Sequence, residues 1–339
     1  MSVIGAGLMG TLHAVNYTRL GDRVQLVRVF DVEPERAERL AARTGAVAAP
    51  DLESALAGDI DAVTICVPPR DNRPLAELAF SRGKHVFLEK PIALTLVDAD
   101  AILRAAEVSR RRLMIGLVLR FWPGYVAVHE GVVSARHGRP VVVRASRLQP
   151  PAAWGTWISD HEKTGGIAPL VMVHDLDQAN WLLGQPRQVT ARALLGRGDR
   201  ASHVATCVEY DAGTALVEAS MAMPQSYPLT SSLSVLCESG ALQYDFESAA
   251  DGAPGESSGT DRLFAAGDQV VVVDSDSSAR RELRIPSGAE PWQPELSYFL
   301  DCVEGDSPVL TGSGAQARAA LAVALAVNHS LETGMPQVV

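Results

Sequence analysis

Strand-like and helix-like patterns alternate from residue 1 to about residue 119, and this alternation constrains the fold of the 339-residue chain most strongly. Short apolar runs bounded by turn residues predict buried strands, and the longer segments between them have helical periodicity. Such alternation is typical of a parallel sheet with helices on both faces. We therefore predict a doubly wound α/β domain over residues 1–119.

The first turn of the chain contains glycines at the spacing Gly5-x-Gly7-x-x-Gly10. Gly5 would make the tight turn, Gly7 would let the backbone approach a pyrophosphate, and Gly10 would let the following helix pack close to its strand. The pyrophosphate would rest on the N-terminus of that helix, which begins near Leu8 and Met9. The pattern predicts a dinucleotide-binding Rossmann domain.

An acidic residue, Asp31, closes the next predicted strand, Val24–Phe30. It lies about 20 residues after the glycines, where a carboxylate accepts hydrogen bonds from an adenosine ribose. The same carboxylate would repel the additional phosphate of NADP. The sequence therefore predicts NAD as the cofactor in preference to NADP.

A third signal is the apolar run Val86–Leu88, which ends in Glu89-Lys90-Pro91. Pro91 blocks ladder pairing and favours an extended conformation at Lys90. Lys90 is therefore predicted at the carboxyl end of a buried parallel strand, which is the edge where ligands bind in open α/β sheets. An isolated Glu-Lys pair is more often the solvated end of a strand, and only the rest of the chain favours a functional lysine.

After residue 119 the pattern changes to one helix followed by many strands, several with alternating polarity, which predicts an α+β domain with a mostly antiparallel sheet over residues 120–339. Within it, a helix predicted from about Pro169 to Leu183 would present Leu170, His174, Asp177 and Trp181 along one face. Taken alone, His174 is more often a core histidine than a catalytic one. No second ligand stands at metal spacing, so no metal site is predicted.

These motifs together resemble the Gfo/Idh/MocA family, the relatives of glucose-fructose oxidoreductase and inositol dehydrogenase, over nearly the whole chain. The motifs that carry the resemblance are Gly5-Ala6-Gly7-Leu8-Met9-Gly10, Gly83-Lys84-His85-Val86 before Glu89-Lys90-Pro91, Arg120-Phe121, and Gly165-Gly166 before His174-Asp175-Leu176-Asp177. The resemblance implies a Rossmann domain, an open-faced C-terminal sheet used for dimer or tetramer contacts, and NAD(P)-dependent oxidation or reduction of a sugar, polyol or cyclitol.

The resemblance also implies a catalytic set of Lys90 and His174, with His174 as the base and Lys90 orienting the substrate oxygen. The family's aspartate one turn before the histidine is Leu170 here, and Asp177 is the predicted substitute. The family's asparagine after Pro68 and histidine three positions further on are Pro69 and Asn72. The remaining predicted cofactor contacts are Val67, Pro68, Asn72, Glu89 and Lys90, and the predicted substrate contacts are Arg120, Trp157 and Asp177.

Two alternative functions stay open. The first is an epimerase or glycosidase that recycles bound NAD, and the second is a non-catalytic protein that senses a dinucleotide. Leu170 favours the second alternative, whereas Lys90 together with His174 opposes it.

Composition restricts the partners. The net charge of −10 argues against binding to nucleic acid or to an anionic membrane surface. No apolar run reaches the roughly 18 residues of a membrane span, and the N-terminus lacks a signal-like pattern, so the cytoplasm is the predicted location. The four cysteines have no Cys-x-x-Cys spacing and predict neither disulfides nor zinc. The expected partners are a small-molecule substrate and further copies of the chain, as a homodimer or homotetramer.

Overall fold

A computed structural model describes residues 1–151, 155, 157–196, 200–248, 269–274, 280–284 and 292–339. The chain forms two compact units, Met1–Val118 with Pro291–Arg318, and Leu119–Glu290 with Ala319–Val339. The predicted division into residues 1–119 and 120–339 is revised in the segment 291–318, which belongs to the first unit.

The first unit contains a six-stranded sheet in the order β3-β2-β1-β4-β5-β6, and every pair of neighbouring strands is parallel. Its strands are β1 Ser2–Ile4, β2 Arg28–Phe30, β3 Val47–Ala48, β4 Ala62–Ile65, β5 His85–Leu88 and β6 Leu113–Ile115. Its helices are α1 Leu8–Arg19, α2 Pro34–Thr44, α3 Leu52–Ala55, α4 Asn72–Ser81, α5 Leu96–Ser109 and α9 Trp292–Glu304. The predicted Rossmann-type sheet is confirmed, and its strand order reverses direction between β1 and β4.

Local signals set the helix ends in this unit. Helix α2 begins with Pro34 and ends at Gly45, whose φ of 76° is in the left-handed region that glycine adopts without steric cost. The side chain of Thr95 caps α5 by accepting a hydrogen bond from the Asp98 backbone N–H, as its sequence position predicts.

Helix α9 belongs to the first unit because its contacts are there. Phe299 packs edge-to-face on Phe87 of β5 with ring centroids 5.7 Å apart. On the surface, Arg23 donates hydrogen bonds to Ser297 and Asp301. Helical periodicity in the sequence cannot show which unit this helix packs against.

The second unit contains a nine-stranded sheet in the order β14-β13-β12-β11-β7-β10-β9-β8-β15. Only the pair β7 and β10 is parallel, so the predicted mostly antiparallel sheet is confirmed. Its strands are β7 Pro140–Leu148, β8 Pro186–Leu195, β9 His203–Tyr210, β10 Thr214–Ser220, β11 Thr230–Cys237, β12 Gly240–Glu247, β13 Gln269–Asp274, β14 Arg280–Arg284 and β15 Gln337–Val338. Its helices are α6 Pro123–Val133, α7 His161–Thr164 and α8 Val173–Leu183, and α10, Gly314–Thr333, has residues in both units.

One face of this sheet is covered by α6 and α8, and side chains of β9 and β11 alternate between buried and partly exposed positions accordingly. The opposite face is lined by side chains that include Arg144, Arg192 and Glu218. The sheet is therefore open on one face, as predicted. No helix among the described residues has the length and apolarity needed to cross a membrane.

Candidate functional site

The glycine turn has the geometry that its spacing predicts. Gly5 has a φ of 95°, and a Cβ there would overlap the carbonyl oxygen of Cys66. A Cβ on Gly10 would overlap the carbonyl oxygen of Gly5, so the helix packs directly on the turn. A Cβ on Gly7 would meet nothing within 4 Å. The first and third glycines are needed for packing, whereas the second faces open space in which a ligand can approach the backbone.

The N-terminus of α1 suits an anion. Gly7 is its N-cap and supplies no side-chain hydrogen bond, and the first turn contains no acidic residue. Leu8 and Met9 in that turn are only partly buried. The partial positive charge of the helix end is therefore not neutralised by a side chain of this helix, which fits a dinucleotide pyrophosphate.

Asp31 is built into the same turn. One carboxylate oxygen accepts a hydrogen bond from the backbone N–H of Ala6 at 2.7 Å, and the other accepts one from Glu33 at 2.9 Å. Each carboxylate oxygen has further acceptor capacity, so these bonds leave room for ribose hydroxyls. Contact with the ribose stays a prediction.

The remaining cofactor residues lie at the same edge of the sheet. Val67 and Pro68 follow β4 and are partly exposed, and a Cβ on Gly5 would lie 3.3 Å from the Val67 side chain. Lys90 follows β5 and is also partly exposed. Because β1, β4 and β5 are parallel neighbours, their carboxyl ends share one edge. The structure thus gathers these residues beside the strand-order reversal, where α/β sheets bind ligands.

Glu89 and Asn72 are buried, with 7% and 1% of their surface exposed, and both hold the backbone around Lys90. The Glu89 carboxylate accepts a hydrogen bond from the Lys90 N–H at 3.1 Å. The Asn72 amide donates to the carbonyl oxygen of Pro91 at 2.9 Å, with longer contacts to those of Glu89 and Ile92. In the structure these two residues position Lys90, and their direct contact with a cofactor stays a prediction.

A second acid, Glu295 on α9, lies fully buried in the first unit. Neither of its carboxylate oxygens has a hydrogen-bond partner within the described residues. Burial raises the pKa of the Glu295 carboxyl well above its usual range, and the neighbouring Glu89 carboxylate adds to this effect. Glu295 therefore favours its protonated form more strongly than an ordinary glutamate does.

Replacing Glu295 with leucine should stabilise the protein at pH 8. A carboxyl whose pKa is raised by folding makes its full contribution to the stability of the folded protein below its ordinary pKa of 4.5. That contribution to stability is lost as pH rises through the folded-state pKa. The variant removes that loss and an unsatisfied buried group, which together should raise the free energy of unfolding by about 1–3 kcal/mol. Urea unfolding at pH 5 and pH 8 measures the free energy of unfolding of the variant and of the wild type. The gain should be larger at pH 8, and Glu304→Leu, at an exposed site on α9, is the control.

In the second unit, the segment before His174 departs from the predicted continuous α-helix. Ala168–Met172 forms a π-helix, and α8 begins only at Val173. Because π-helical bonds join residues i and i+5, this turn takes about one residue more than an α-helical turn. His174, Asp177 and Trp181 lie on α8 and keep their α-helical spacing, whereas the position of Leu170 relative to them no longer follows from α-helical spacing. The sequence offers no periodic signal for such a turn.

Asp177 and Arg120, two predicted substrate contacts, form a buried ion pair with each other. Two guanidinium nitrogens donate to the two carboxylate oxygens at 2.8 Å each. Burial raises the pKa of the Asp177 carboxyl, and Arg120 opposes that shift. A carboxylate engaged on both oxygens is poorly suited to orient His174, so the geometry argues against Asp177 as the substitute for the family aspartate. Contact of either residue with substrate stays a prediction.

Two further groups surround α8. Asp175 belongs to a separate ion pair, in which it accepts two hydrogen bonds from Arg147 at 2.9 and 3.0 Å. Trp181 stacks on His129 with ring centroids 3.6 Å apart, and Arg120 lies 4.8 Å above the Trp181 ring. Burial lowers the pKa of His129 to about 4, with a further contribution from Arg120. His129 therefore stays neutral through the pH range in which an ordinary histidine becomes protonated. Trp157 is partly exposed, and its predicted contact with substrate stays a prediction.

His13 of α1 is not marked by any of the sequence motifs, yet its Nε2 lies 2.6 Å from the Glu89 carboxylate. The available signal was its position three residues after Gly10, on the side of α1 that faces the sheet. That position predicts burial but does not identify the partner, which is 76 residues away.

Comparison with known proteins agrees with this architecture. The sequence model of a protein family described as an oxidoreductase family with an NAD-binding Rossmann fold matches residues 1–117. The family model of the Gfo/Idh/MocA C-terminal domain matches residues 125–243. The two matches together cover more than half of the chain. The chain belongs to the Gfo/Idh/MocA family of oxidoreductases.

Named relatives are inositol dehydrogenases and a nucleotide-sugar dehydrogenase. The chain is 34% identical to inositol 2-dehydrogenase from Rhizobium meliloti over 56% of this chain and 57% of that protein. It is 26% identical to scyllo-inositol 2-dehydrogenase (NAD(+)) from Bacillus subtilis over 99% of this chain and 94% of that one. The structure of UDP-N-acetylglucosamine 3-dehydrogenase from Acidithiobacillus ferrooxidans shares the fold, with a TM-score of 0.78, 24% identity, and coverage of 98% and 97%. The first of these alignments spans less than two thirds of the relative's length.

Proposed function

We propose that this protein is an NAD-dependent dehydrogenase that transfers hydride between the nicotinamide ring and a hydroxyl-bearing carbon of a sugar, polyol or cyclitol. The observation that carries the proposal is the location of Lys90. Its backbone is fixed by Glu89 and Asn72 at the sheet edge that also carries the glycine turn and Asp31. The names of the relatives support the substrate class.

The proposed chemistry divides between a lysine and a histidine. The bound nicotinamide supplies the hydride acceptor. The Lys90 ammonium orients the substrate hydroxyl and stabilises the charge that develops on its oxygen. His174, which is partly exposed, takes the hydroxyl proton as general base. In the reverse direction His174 returns the proton to the carbonyl oxygen, which the Lys90 ammonium polarises.

The substrate assignment is tested by mixing the protein with NAD and a panel of inositols, aminocyclitols and aldoses. We expect reduced nicotinamide to accumulate with at least one class. NAD binding by calorimetry without reduction of the cofactor by any panel member would contradict the proposed activity. The family match and the names of the relatives support neither the recycling of bound NAD nor the purely sensory role that Leu170 favours.

We propose NAD rather than NADP because Asp31 lies where the phosphate of NADP would approach. Asp31→Asn keeps an oxygen that can accept the Ala6 N–H but removes the charge. We expect the affinity for NADP relative to NAD to rise about tenfold, which corresponds to roughly 1.4 kcal/mol. Calorimetric titration with both cofactors measures the ratio. Glu33→Gln, at the exposed neighbouring acid, should leave the ratio unchanged, and an unchanged ratio in Asp31→Asn would remove Asp31 from the specificity argument.

We also propose that the open face of the second-unit sheet carries self-association into a dimer or tetramer, and that the protein acts in the cytoplasm. The face is lined by polar and charged side chains together with Leu216, which is 42% exposed. Light scattering of the purified chain reports the mass of the assembly, and a monomer at all concentrations would contradict self-association.

A further inference from the structure

We propose that His13 and Glu89 form a buried positioning pair through which helix α1 fixes Lys90. The helix whose N-terminus suits the cofactor pyrophosphate would thereby also set the lysine of the proposed reaction. The effect of this pair on turnover rests on the proposed function, whereas its effect on Lys90 does not.

The pair itself is short and enclosed. His13 is fully buried, and its Nε2 lies 2.6 Å from Oε1 of Glu89. The His13 ring also packs edge-to-face against Phe87, with ring centroids 5.1 Å apart. A buried ionisable pair contributes little net stability compared with apolar residues of similar volume, so stability alone is a weak explanation for it.

The second Glu89 oxygen connects this pair to the lysine. Oε2 accepts the hydrogen bond from the Lys90 N–H at 3.1 Å. The carboxylate lies beside Gly116, where an added Cβ would be only 3.1 Å from its atoms, so a glycine at this position leaves space for it. Any displacement of the Glu89 carboxylate is therefore transmitted directly to the Lys90 backbone.

The direction of the Lys90 side chain follows from the same arrangement. The backbone remains paired beyond β5, since the Glu89 N–H donates to the Ile65 carbonyl at 3.0 Å. Successive side chains of an extended backbone point to opposite sides. His13 holds the Glu89 side chain in the core, whereas the Lys90 side chain beyond the end of β5 is partly exposed. Asn72 fixes the far side of the segment through the Pro91 carbonyl.

The chain offers a direct assay because it contains only three lysines, Lys84, Lys90 and Lys163. Competitive acetylation followed by peptide mass spectrometry gives the relative reactivity of each. Lys163 has a side chain 43% exposed and serves as the reference. Lys84 is buried, and its Nζ donates to the Ala57 and Ile60 carbonyls at 2.8 and 2.6 Å, so its labelling reports a loss of folded structure in the first unit.

The test compares His13→Leu, His13→Gln and Glu89→Gln in the full-length protein. We expect His13→Leu and Glu89→Gln to raise the Lys90-to-Lys163 labelling ratio about threefold through a shift in the Lys90 conformers, while Lys84 stays protected. His13→Gln keeps an amide donor for Glu89 and should restore a ratio near that of the wild type. The matched control is His203→Gln, because His203 lies 2.7 Å from Glu218 in a similar pair of the second unit. If His13→Leu does not fold, Glu89→Gln carries the test.

An unchanged Lys90 ratio in the variants that retain Lys84 protection would overturn the proposal. An increase in the labelling of Lys84 together with that of Lys90 would also overturn the proposal, because the His13–Glu89 pair would then only maintain the fold. In a protein that turns over substrate, the altered variants should lose about tenfold or more in kcat with little change in the dissociation constant of NAD. Absence of turnover in the wild type would refute the proposed function and leave the labelling result to decide the positioning role.

Discussion

Replacing Lys90 with alanine is expected to lower kcat about a hundredfold to a thousandfold, the loss typical of removing one group that stabilises a developing oxyanion. The dissociation constant of NAD should change little, because the turn Gly5–Gly10 and Asp31 are predicted to supply most of the cofactor contacts. Lys90→Arg should not restore turnover, since the planar guanidinium does not place its charge where the ammonium lies. Steady-state kinetics combined with calorimetry of NAD measures both quantities.

The control for this substitution is Lys163→Ala, which removes an exposed lysine paired with Asp160. It should keep the wild-type kcat. Turnover by Lys90→Ala at a similar rate would show that Lys90 is only the solvated end of a strand, which is the common role of such a residue.

Replacing His174 with alanine is expected to lower kcat about a hundredfold to ten-thousandfold, the usual contribution of a positioned general base. The wild-type enzyme should lose alcohol oxidation as pH falls through the range near 6.5 in which an ordinary histidine becomes protonated. The residual activity of the variant should lack this decrease at low pH, the acidic limb of the pH profile. The pH dependence of kcat/KM for both proteins measures the effect.

Two other histidines serve as controls for the assignment of the general base to His174. Burial lowers the pKa of His129 to about 4, so its protonation cannot produce a limb near neutrality. His203→Gln, in the sheet pair with Glu218, should retain both the limb and the rate. An acidic limb that survives in His174→Ala would assign the proton transfer to another group.

Signals that are local in the sequence predicted much of the first unit. Gly5, Gly7 and Gly10 act at fixed spacing within one turn, and the structure gives each the packing or open space that its position implies. Asp31 follows the next strand and bonds back to the turn. Each of these features depends on the geometry of a few consecutive residues, which propensity and spacing encode.

Features that depend on distant partners were not predictable in the same way. Arg120 and Asp177 were each singled out, yet their mutual pairing over 57 residues was not. His13 and Glu89 are further apart still, and periodicity marks His13 only as a buried position. The placement of α9 in the first unit likewise depends on contacts such as that of Phe299 with Phe87.

The π-helical turn Ala168–Met172 shows a different limit. A face assigned from α-helical spacing assumes that every turn has the same number of residues, and one wider turn rotates all positions before it. The correspondence of Leu170 with the family's aspartate is a statement about aligned sequence. Its spatial relation to His174 cannot be derived from that spacing.

Deuterium transfer tests the central claim most directly. The wild-type protein would be mixed with NAD and a cyclitol or sugar from the responsive class that carries deuterium on the reacting carbon, and the reduced cofactor would be isolated for mass spectrometry. We expect the deuterium to appear in the reduced nicotinamide ring, together with a product that carries a carbonyl group at the oxidised carbon. Product formation with the deuterium retained in the sugar and no net reduction of NAD would contradict the account.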